Sequence, residues 1–578
     1  MFSLFLTNKD NKDLSSRFLN AHTSLENNEI KSINPRFKIA SWGPQDSIQT
    51  HKFDNILIAI DGYCFCGNTL VNPSFVYKQV KNGDLDVKSL NGSFNIVIYD
   101  LLSNKLQLFT DKFGTRALFY NEIPSGIIIS SRLNIITKCF SKGLQINSNS
   151  LAEYMYFGAF IQNGKTLFKS IFLLKSATEL IFKHELLISQ YWLPRANYKR
   201  TIKNNVNDFE DFYEEFKEIW RSVFNRLLLV NPPSKSKLVP LSAGYDSRAI
   251  LSELSRRDIK PVTAFTISTS PSFEANTAKL IAEACDINHI QKTFSTEVFN
   301  DDYEIDKGVN LSDGMIFGTP YISNNLYEQM TQYGSQIFSG FGGDPIMGSH
   351  TVIHPDENSP SLLDYCFNKY SSLMPDEEII LKDILNKKTI KYEMEKSIKP
   401  FSNLDLTHGF DSWYMVNRNR YVTQMGVMSN RDSFNFILPF MDTELFNFIN
   451  SMNISGRINR EYFVKSMLRM YPDSFSIRSS VKPPMLYRGK YYTFKALNRI
   501  FPKNFIYYMQ YKLDFNMILK QDRSYANYCM DAALNLEDLG LFSKGSATQI
   551  VKNNINGQKR YEVVDRIISL NEIYKNYL

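Results

Sequence analysis

Apolar residues change rhythm along this chain. Over the first ~190 residues they come in short β-branched or aromatic runs, at Ile56–Ile60, Phe94–Tyr99, Leu106–Phe109, Ala117–Tyr120 and Ile127–Ser130. Turn-forming residues stand between them: Asp61-Gly62, Asn91-Gly92, Ser103-Asn104, Phe113-Gly114 and Pro124-Ser125-Gly126. This predicts hairpins in stacked sheets. The polar stretch Tyr198–Asp208 reads as a linker, and a helical period runs from Phe209 to Leu229. From Lys237 strand and helix alternate. Strands are expected at Lys237–Leu241, Val262–Ile267 and Gln336–Phe338, and helices at Ser247–Arg256 and Asn276–Cys285. Such alternation predicts an α/β unit with a parallel sheet covered by helices. From Phe401 the pattern is mostly helical, without repeats or low-complexity tracts. The domains expected are 1–197 and 198–578, with 491–578 a helical extension of unassigned role.

Composition narrows the class. A chain of 578 residues is too long for one core. Apolar residues at 43% and charged residues at 22% fit a soluble globular protein. The formal charge of +7 is small for this length, with no Lys/Arg block, which argues against a nucleic-acid partner. Cys64, Cys66, Cys139, Cys285, Cys366 and Cys529 are scattered, apart from one C-x-C, and seven histidines are dispersed. That argues against a zinc site or a disulfide framework. The opening MFSLFLTNKD lacks the basic start of a signal peptide, and no run is long enough to span a membrane. A cytoplasmic protein is expected.

Candidate chemistry concentrates in two loops. In PLSAGYDSRAIL (240–251), small residues follow a strand and precede a helix. Ligands in open α/β sheets bind beyond the carboxyl ends of the strands. Gly244 would let backbone approach a phosphate, Ser242 and Ser247 offer hydroxyls, and the helix start offers amides. Asp246 would repel phosphate unless it holds Mg2+, which bridges carboxylate and phosphate oxygens. The loop lacks the lysine of a Walker motif. Taken alone, it reads equally as a helix cap at Asp246 and a turn at Gly244. SGFGGD (339–344) is a second strand-end loop, with three glycines and a second carboxylate, Asp344. Two such loops in one sheet could share a Mg2+-pyrophosphate.

Here the sequence resembles the asparagine synthetase family. Residues 242–247 resemble its SGGxDS pyrophosphate loop, with Ala243 for the first glycine, and SGFGGDPIMGS (339–349) resembles SGEGGDELFGG. FEANTAKLIAEACDINHI (273–290), LPFMDTEL (438–445) and KSMLRMYPDSFSIRSSVKPP (465–484) resemble later segments, in the family's order. LNGSFNIVIYD (90–100), FTDKFGTRALFY (109–120), SLAEYMYFGAF (150–160) and Tyr191-Trp192 resemble the glutaminase-type domain. The resemblance covers roughly residues 1–490. It implies an Ntn-like domain of stacked β-sheets with helices, then a parallel-sheet α/β ATP-pyrophosphatase-type synthetase domain with a helical C-terminal part. It implies ATP and Mg2+, and AMP-forming activation of a carboxylate that an amine then attacks. Ser242, Gly244, Asp246 and Ser247 would cradle pyrophosphate, and Asp246 with Asp344 would hold Mg2+. Leu241, Phe265, Ser339 and Gly340 would lie about the nucleotide, with 262–267 lining the adenosine pocket. Lys482 would be the catalytic lysine, with Lys465 the other candidate.

Several positions depart from the family's pattern. It uses an N-terminal cysteine as nucleophile; here the chain begins Met1-Phe2. DGYCFC (61–66) sits where the family has NGEIYN, with Cys66 replacing an oxyanion-stabilising asparagine. The resemblance therefore implies a glutaminase half unable to make ammonia, a layout similar to β-lactam synthetases and lasso-peptide cyclases. Pro345 and Phe341 replace glutamates, and Asn435 and Ile437 replace an E-x-R pair. These changes argue against aspartate as substrate. The expectation is an amide ligase joining a small-molecule or peptide carboxylate to an amine in a natural-product or polysaccharide pathway, with a pathway enzyme as partner. The alternatives are an ammonia-dependent asparagine synthetase or a non-catalytic nucleotide-binding protein.

Overall fold

The computed structural model of the chain describes residues 1–578 apart from 9–10, 24, 26–27, 45–46, 125, 141–142, 162, 195–207, 269–271, 294–307, 317–323, 351–358, 453 and 480–514. The expected linker at 198–208 and the aromatic stretch at 505–511 lie almost wholly or wholly outside the described residues.

The first half builds two antiparallel sheets. One runs in the order Ile171–Leu173 (β11), Phe119–Ile123 (β9), Gly126–Ser130 (β10), Phe2–Thr7 (β1), Phe37–Ser41 (β3) and Glu29–Asn34 (β2). The other runs Leu186–Gln190 (β13), Thr178–Phe182 (β12), Lys105–Thr110 (β8), Leu90–Asp100 (β7), Ile56–Cys66 (β5) and Ile48–Phe53 (β4), with Thr69–Leu70 (β6) beside β5. Side chains alternate across each strand. Phe2, Leu4 and Leu6 therefore fill the space between the sheets with Leu57, Ala59, Val97 and Leu108. Phe5 turns the other way, into a core with helices Leu133–Cys139 and Ser148–Phe157. Ile58, Ile60 and Ile96 pack with Val76 of helix Pro73–Asn82 on the outer face of the second sheet. Strands buried on both faces read as continuous apolar runs, as FSLFLT does.

Two expected turns are strand interior. β5 continues through Asp61-Gly62 and β7 through Asn91-Gly92, and they pair along their lengths from Ile56↔Asp100 to Cys66↔Leu90. The glycines serve close approach of the strands. A Cβ on Gly62 (φ +97°) would meet the Ser93 carbonyl oxygen at 2.2 Å, and one on Gly92 (φ +131°) the Tyr63 carbonyl oxygen at 2.4 Å. Phe113-Gly114 is a true turn.

The second half carries a five-stranded parallel sheet in the order Asn288–Thr293 (β16), Val262–Ser268 (β15), Lys237–Pro240 (β14), Gln336–Phe338 (β17) and Asn435–Ile437 (β18). β18 falls in the stretch expected to be mostly helical; three residues are too few to show a period. Helices Asp208–Val230, Tyr245–Arg256 and Phe273–Ala284 cover the sheet through Trp220, Ile250 and Ile281. The C-terminal helices, from Phe515–Gln521 to Tyr561–Tyr577, pack back on the first half. They share one core with helix Ser148–Phe157, and Arg566 Nη1 donates to the Met155 carbonyl at 2.5 Å.

Charge seals the seam between the halves. The buried Arg132 pairs with Asp313 and Asp432, and Arg431 with Asp313. Arg420 and Gln424 donate to the Gly114 carbonyl at 3.2 and 3.0 Å, and Asn91 to Asp442 at 2.8 Å.

Candidate active site

β14 and β17 are neighbours, so the loops that leave their carboxyl ends meet. The contact is tight. A Cβ on Gly340 would lie 3.0 Å from Asp246 Cβ, and one on Gly343 only 2.4 Å from Asp246 Cγ. Glycine at both positions lets the second loop lie against the first carboxylate.

The first loop is internally tied. The Ser242 amide donates to Ser247 Oγ at 3.2 Å, the Gly244 amide to Ser242 Oγ at 3.1 Å, and the two hydroxyls stand 3.3 Å apart. The Ala243 carbonyl accepts from Arg248 Nη2 at 3.0 Å and from Ser479 Oγ at 2.7 Å, which ties the loop to the segment after helix Pro472–Phe475. Leu241 is buried, and its amide donates to Phe265 O at 2.8 Å.

Asp246 is not the cap of the helix that follows the loop. The N-cap of helix Tyr245–Arg256 is Gly244, no side chain caps it, and Asp246 sits in the first turn. Among the described residues no side chain caps the amides that follow Gly244, while the carboxylate is directed elsewhere. Asp246 Oδ1 meets Arg460 Nη1 at 3.1 Å, and Arg460 Nη2 meets Asp344 Oδ1 at 2.6 Å. One guanidinium thus spans both carboxylates, with its carbon 5.5 Å from the Tyr245 ring centre. Burial pushes the Asp246 carboxyl up to about 7; Arg460 opposes this shift and Asp344 adds to it. Two carboxylates sharing one monovalent cation suit a divalent ion, which balances both charges. One or two carboxylates, completed by substrate phosphates and water, are the donor set Mg2+ takes.

The structure brings Ser242, Gly244, Asp246, Ser247, Gly340 and Asp344 into one cluster, with Ser339 at its base. Ser339 Oγ accepts from the Phe341 amide at 3.2 Å, and its own amide donates to the β18 carbonyl of Ile437 at 2.9 Å. Two expected site residues lie elsewhere. The Phe265 ring is in the core, 5.4 Å from the Tyr327 ring, because this position on β15 faces inward. Lys465 is 55% exposed on helix Glu461–Met470, paired with Glu461 one turn away. Lys482 lies outside the described residues. Sequence reasoning missed Gly343, which its place in GGD could have flagged. It also missed Arg460, 214 residues from Asp246, for which no local signal exists.

The first half holds a second charged cluster. The Met1 amine lies 3.1 Å from Trp42 O and 3.6 Å from Asp61 Oδ1. Arg116 pairs with Asp61 at 2.8 Å and crosses to Asn435 Oδ1 at 2.9 Å. Of DGYCFC, it is Asp61 that faces Met1; Cys66 is at the far end of β5, paired with Thr69 and Leu90. Phe2 is fully buried, and burial holds the Cys64 thiol well above the ordinary thiol range.

Comparison with known proteins agrees with this architecture. Residues 75–192 match a glutamine amidotransferase domain and residues 238–572 match asparagine synthase. The chain belongs to the asparagine synthase family. This family match takes in the parallel sheet, both loops and most of the C-terminal helices. A Bacillus subtilis relative named asparagine synthetase [glutamine-hydrolyzing] 3 is 26% identical over 165 residues, 28% of this chain and 25% of the relative. The match therefore spans about a quarter of that protein's length. Among solved structures, the allosteric regulatory enzyme of purine biosynthesis aligns at TM-score 0.22 and 10% identity, over 50% of this chain and 80% of that one. Glutamine phosphoribosylpyrophosphate amidotransferase from B. subtilis aligns at 0.20 and 9%, over 58% and 80%. Among the described residues no helix is long and apolar enough to cross a membrane.

Proposed function

We propose that this asparagine synthase family member is an ATP-dependent, AMP-forming amide ligase whose amine does not come from its own glutamine hydrolysis. The observation that carries the reading is the convergence of Asp246 and Asp344 on one cation beside an uncapped helix start. Ser242, Ser247 and the amides from Gly244 onward suit a pyrophosphate, and Asp246 with Asp344 suits the Mg2+ bound to it. Mg2+ would neutralise the departing pyrophosphate. A carboxylate oxygen attacks the α-phosphorus and pyrophosphate leaves. The amine then attacks the activated carbonyl, AMP departs with that oxygen, and the amine loses a proton. Leu241, Ser339 and Gly340 serve as backbone and wall near the nucleotide, and Lys482 as the cation at the reacting phosphate. Residues 1–197 act as a glutaminase-like scaffold and 198–578 as the ligase. Phe2 cannot attack an amide, and the raised Cys64 thiol is no substitute nucleophile. The substrates are a small-molecule or peptide carboxylate and an amine, in a natural-product or polysaccharide pathway.

A second reading, a nucleotide-binding protein without turnover, draws on Phe341. It is buried in the second loop and supplies neither acid nor base. MgATP with a small-molecule extract of the protein's own cells separates the two. The ligase reading expects AMP and pyrophosphate from wild type, and release lower by about 10²–10³-fold from Asp246→Asn. ATP binding without AMP from either protein would favour the second reading, and AMP on adding aspartate and ammonia alone would point to an ammonia-dependent asparagine synthetase.

A further inference from the structure

We propose that Arg460 holds the place of the metal between Asp246 and Asp344 in the nucleotide-free protein and turns to the nucleotide's phosphates when the metal arrives. This rests on the reading of those carboxylates as metal ligands.

The geometry is that of a placeholder. The two nitrogens of one guanidinium are divided between the two carboxylates, at 3.1 and 2.6 Å. With both carboxyls ionised the charges do not close among the described residues: two carboxylates against one guanidinium leave one negative charge. A divalent ion neutralises the pair by itself, so Arg460 loses its partners when the ion binds. The phosphates that come with the ion offer a planar fork its other favoured partner. The Tyr245 ring beneath the guanidinium gives it a seat from which the fork can turn. Its backbone is held in an unusual shape, with Asn459 at φ +53° and Arg460 at φ +60°. L residues enter this left-handed region at a cost, and two in succession aim the side chain across from the start of helix Glu461–Met470. Arg248 nearby is the contrast: its fork is occupied by the carbonyls of Ala243, Ser474 and Ile477.

The test uses the full-length protein and two ligands. Mn2+ alone, followed by electron paramagnetic resonance, reports the bare carboxylates; calorimetry with MgATP reports the phosphate role. Arg460→Ala is expected to tighten Mn2+ by about tenfold and to weaken MgATP by about tenfold. Arg460→Lys, which cannot span both carboxylates, should fall between wild type and Arg460→Ala for Mn2+. A residue that merely braced its loop would weaken both ligands on removal, and that result overturns the proposal. If Mn2+ binds wild type and Arg460→Ala equally, and Asp246→Asn abolishes it, Arg460 fails while the metal reading survives. If Mn2+ binds neither wild type nor Arg460→Ala, the metal reading falls and the proposal with it.

Discussion

At the seam between the halves, Arg132 and Arg431 face Asp313 and Asp432, two cations to two carboxylates. At the ends of β14 and β17, Asp246 and Asp344 share Arg460, the one cation paired with them among the described residues. Both clusters bring charges together from distant parts of the chain, yet among the described residues only the second, with both carboxyls ionised, leaves a net charge. The seam is further closed by Trp42 Nε1 donating to Asp432 and by the Leu133 amide donating to Asp313. The loop cluster instead lies among glycines and an uncapped helix start. A buried charge with a full set of partners holds structure together; one short of partners awaits a ligand.

The comparison can be broken at either cluster. The largest effect is expected at the seam. Arg132→Ala takes the paired cation from Asp432 and leaves Asp313 only Arg431, and should cost about 3–5 kcal/mol of stability. Thermal unfolding should show it, while MgATP affinity of the folded protein is unchanged; a loss of affinity at equal foldedness would mean the clusters are not separate. Gly343→Ala should do the reverse. Its Cβ displaces the Asp246 carboxylate, so turnover should fall by about 10²-fold with little change in melting temperature.

A smaller effect is expected from pH. Burial raises Asp61, but Arg116, the Met1 amine and the Asn95 amide together outweigh it, and the folded carboxyl stays below the ordinary range. Such a group adds stability above its unfolded pKa of ~3.9, and the contribution is lost as pH falls through the folded value. Denaturant melts should therefore show a shallower acid decline in Asp61→Asn than in wild type. The smallest effect is at Lys465, where alanine should change stability by no more than ~0.5 kcal/mol. AMP release in Lys465→Ala should match wild type; a large drop would restore this lysine to the site.

Much of this was legible in the sequence, for reasons particular residues make plain. The runs around Ile58 and Ile96 gave away their strands because both faces are apolar and buried. The loop at 242–247 was legible because strand, small residues and helix follow each other within one short stretch. Gly62 and Gly92 misled because glycine signals a turn and a close strand contact alike, and only pairing tells them apart. Phe265 was placed near the nucleotide by its strand, but which face it occupies depends on register. Arg460 could not be read at all: nothing in SGRINRE marks an arginine that reaches Asp246, and its two left-handed residues are not glycines.

The proposed contrast is a working ligase half against a silent glutaminase half, and one reaction tests it. Wild-type protein is incubated with MgATP, the small-molecule extract and added glutamine, and AMP and glutamate are followed together by NMR. AMP accumulating without glutamate is the predicted result. Glutamate appearing with AMP would contradict the account of the first half, and glutamate without AMP would contradict both halves at once.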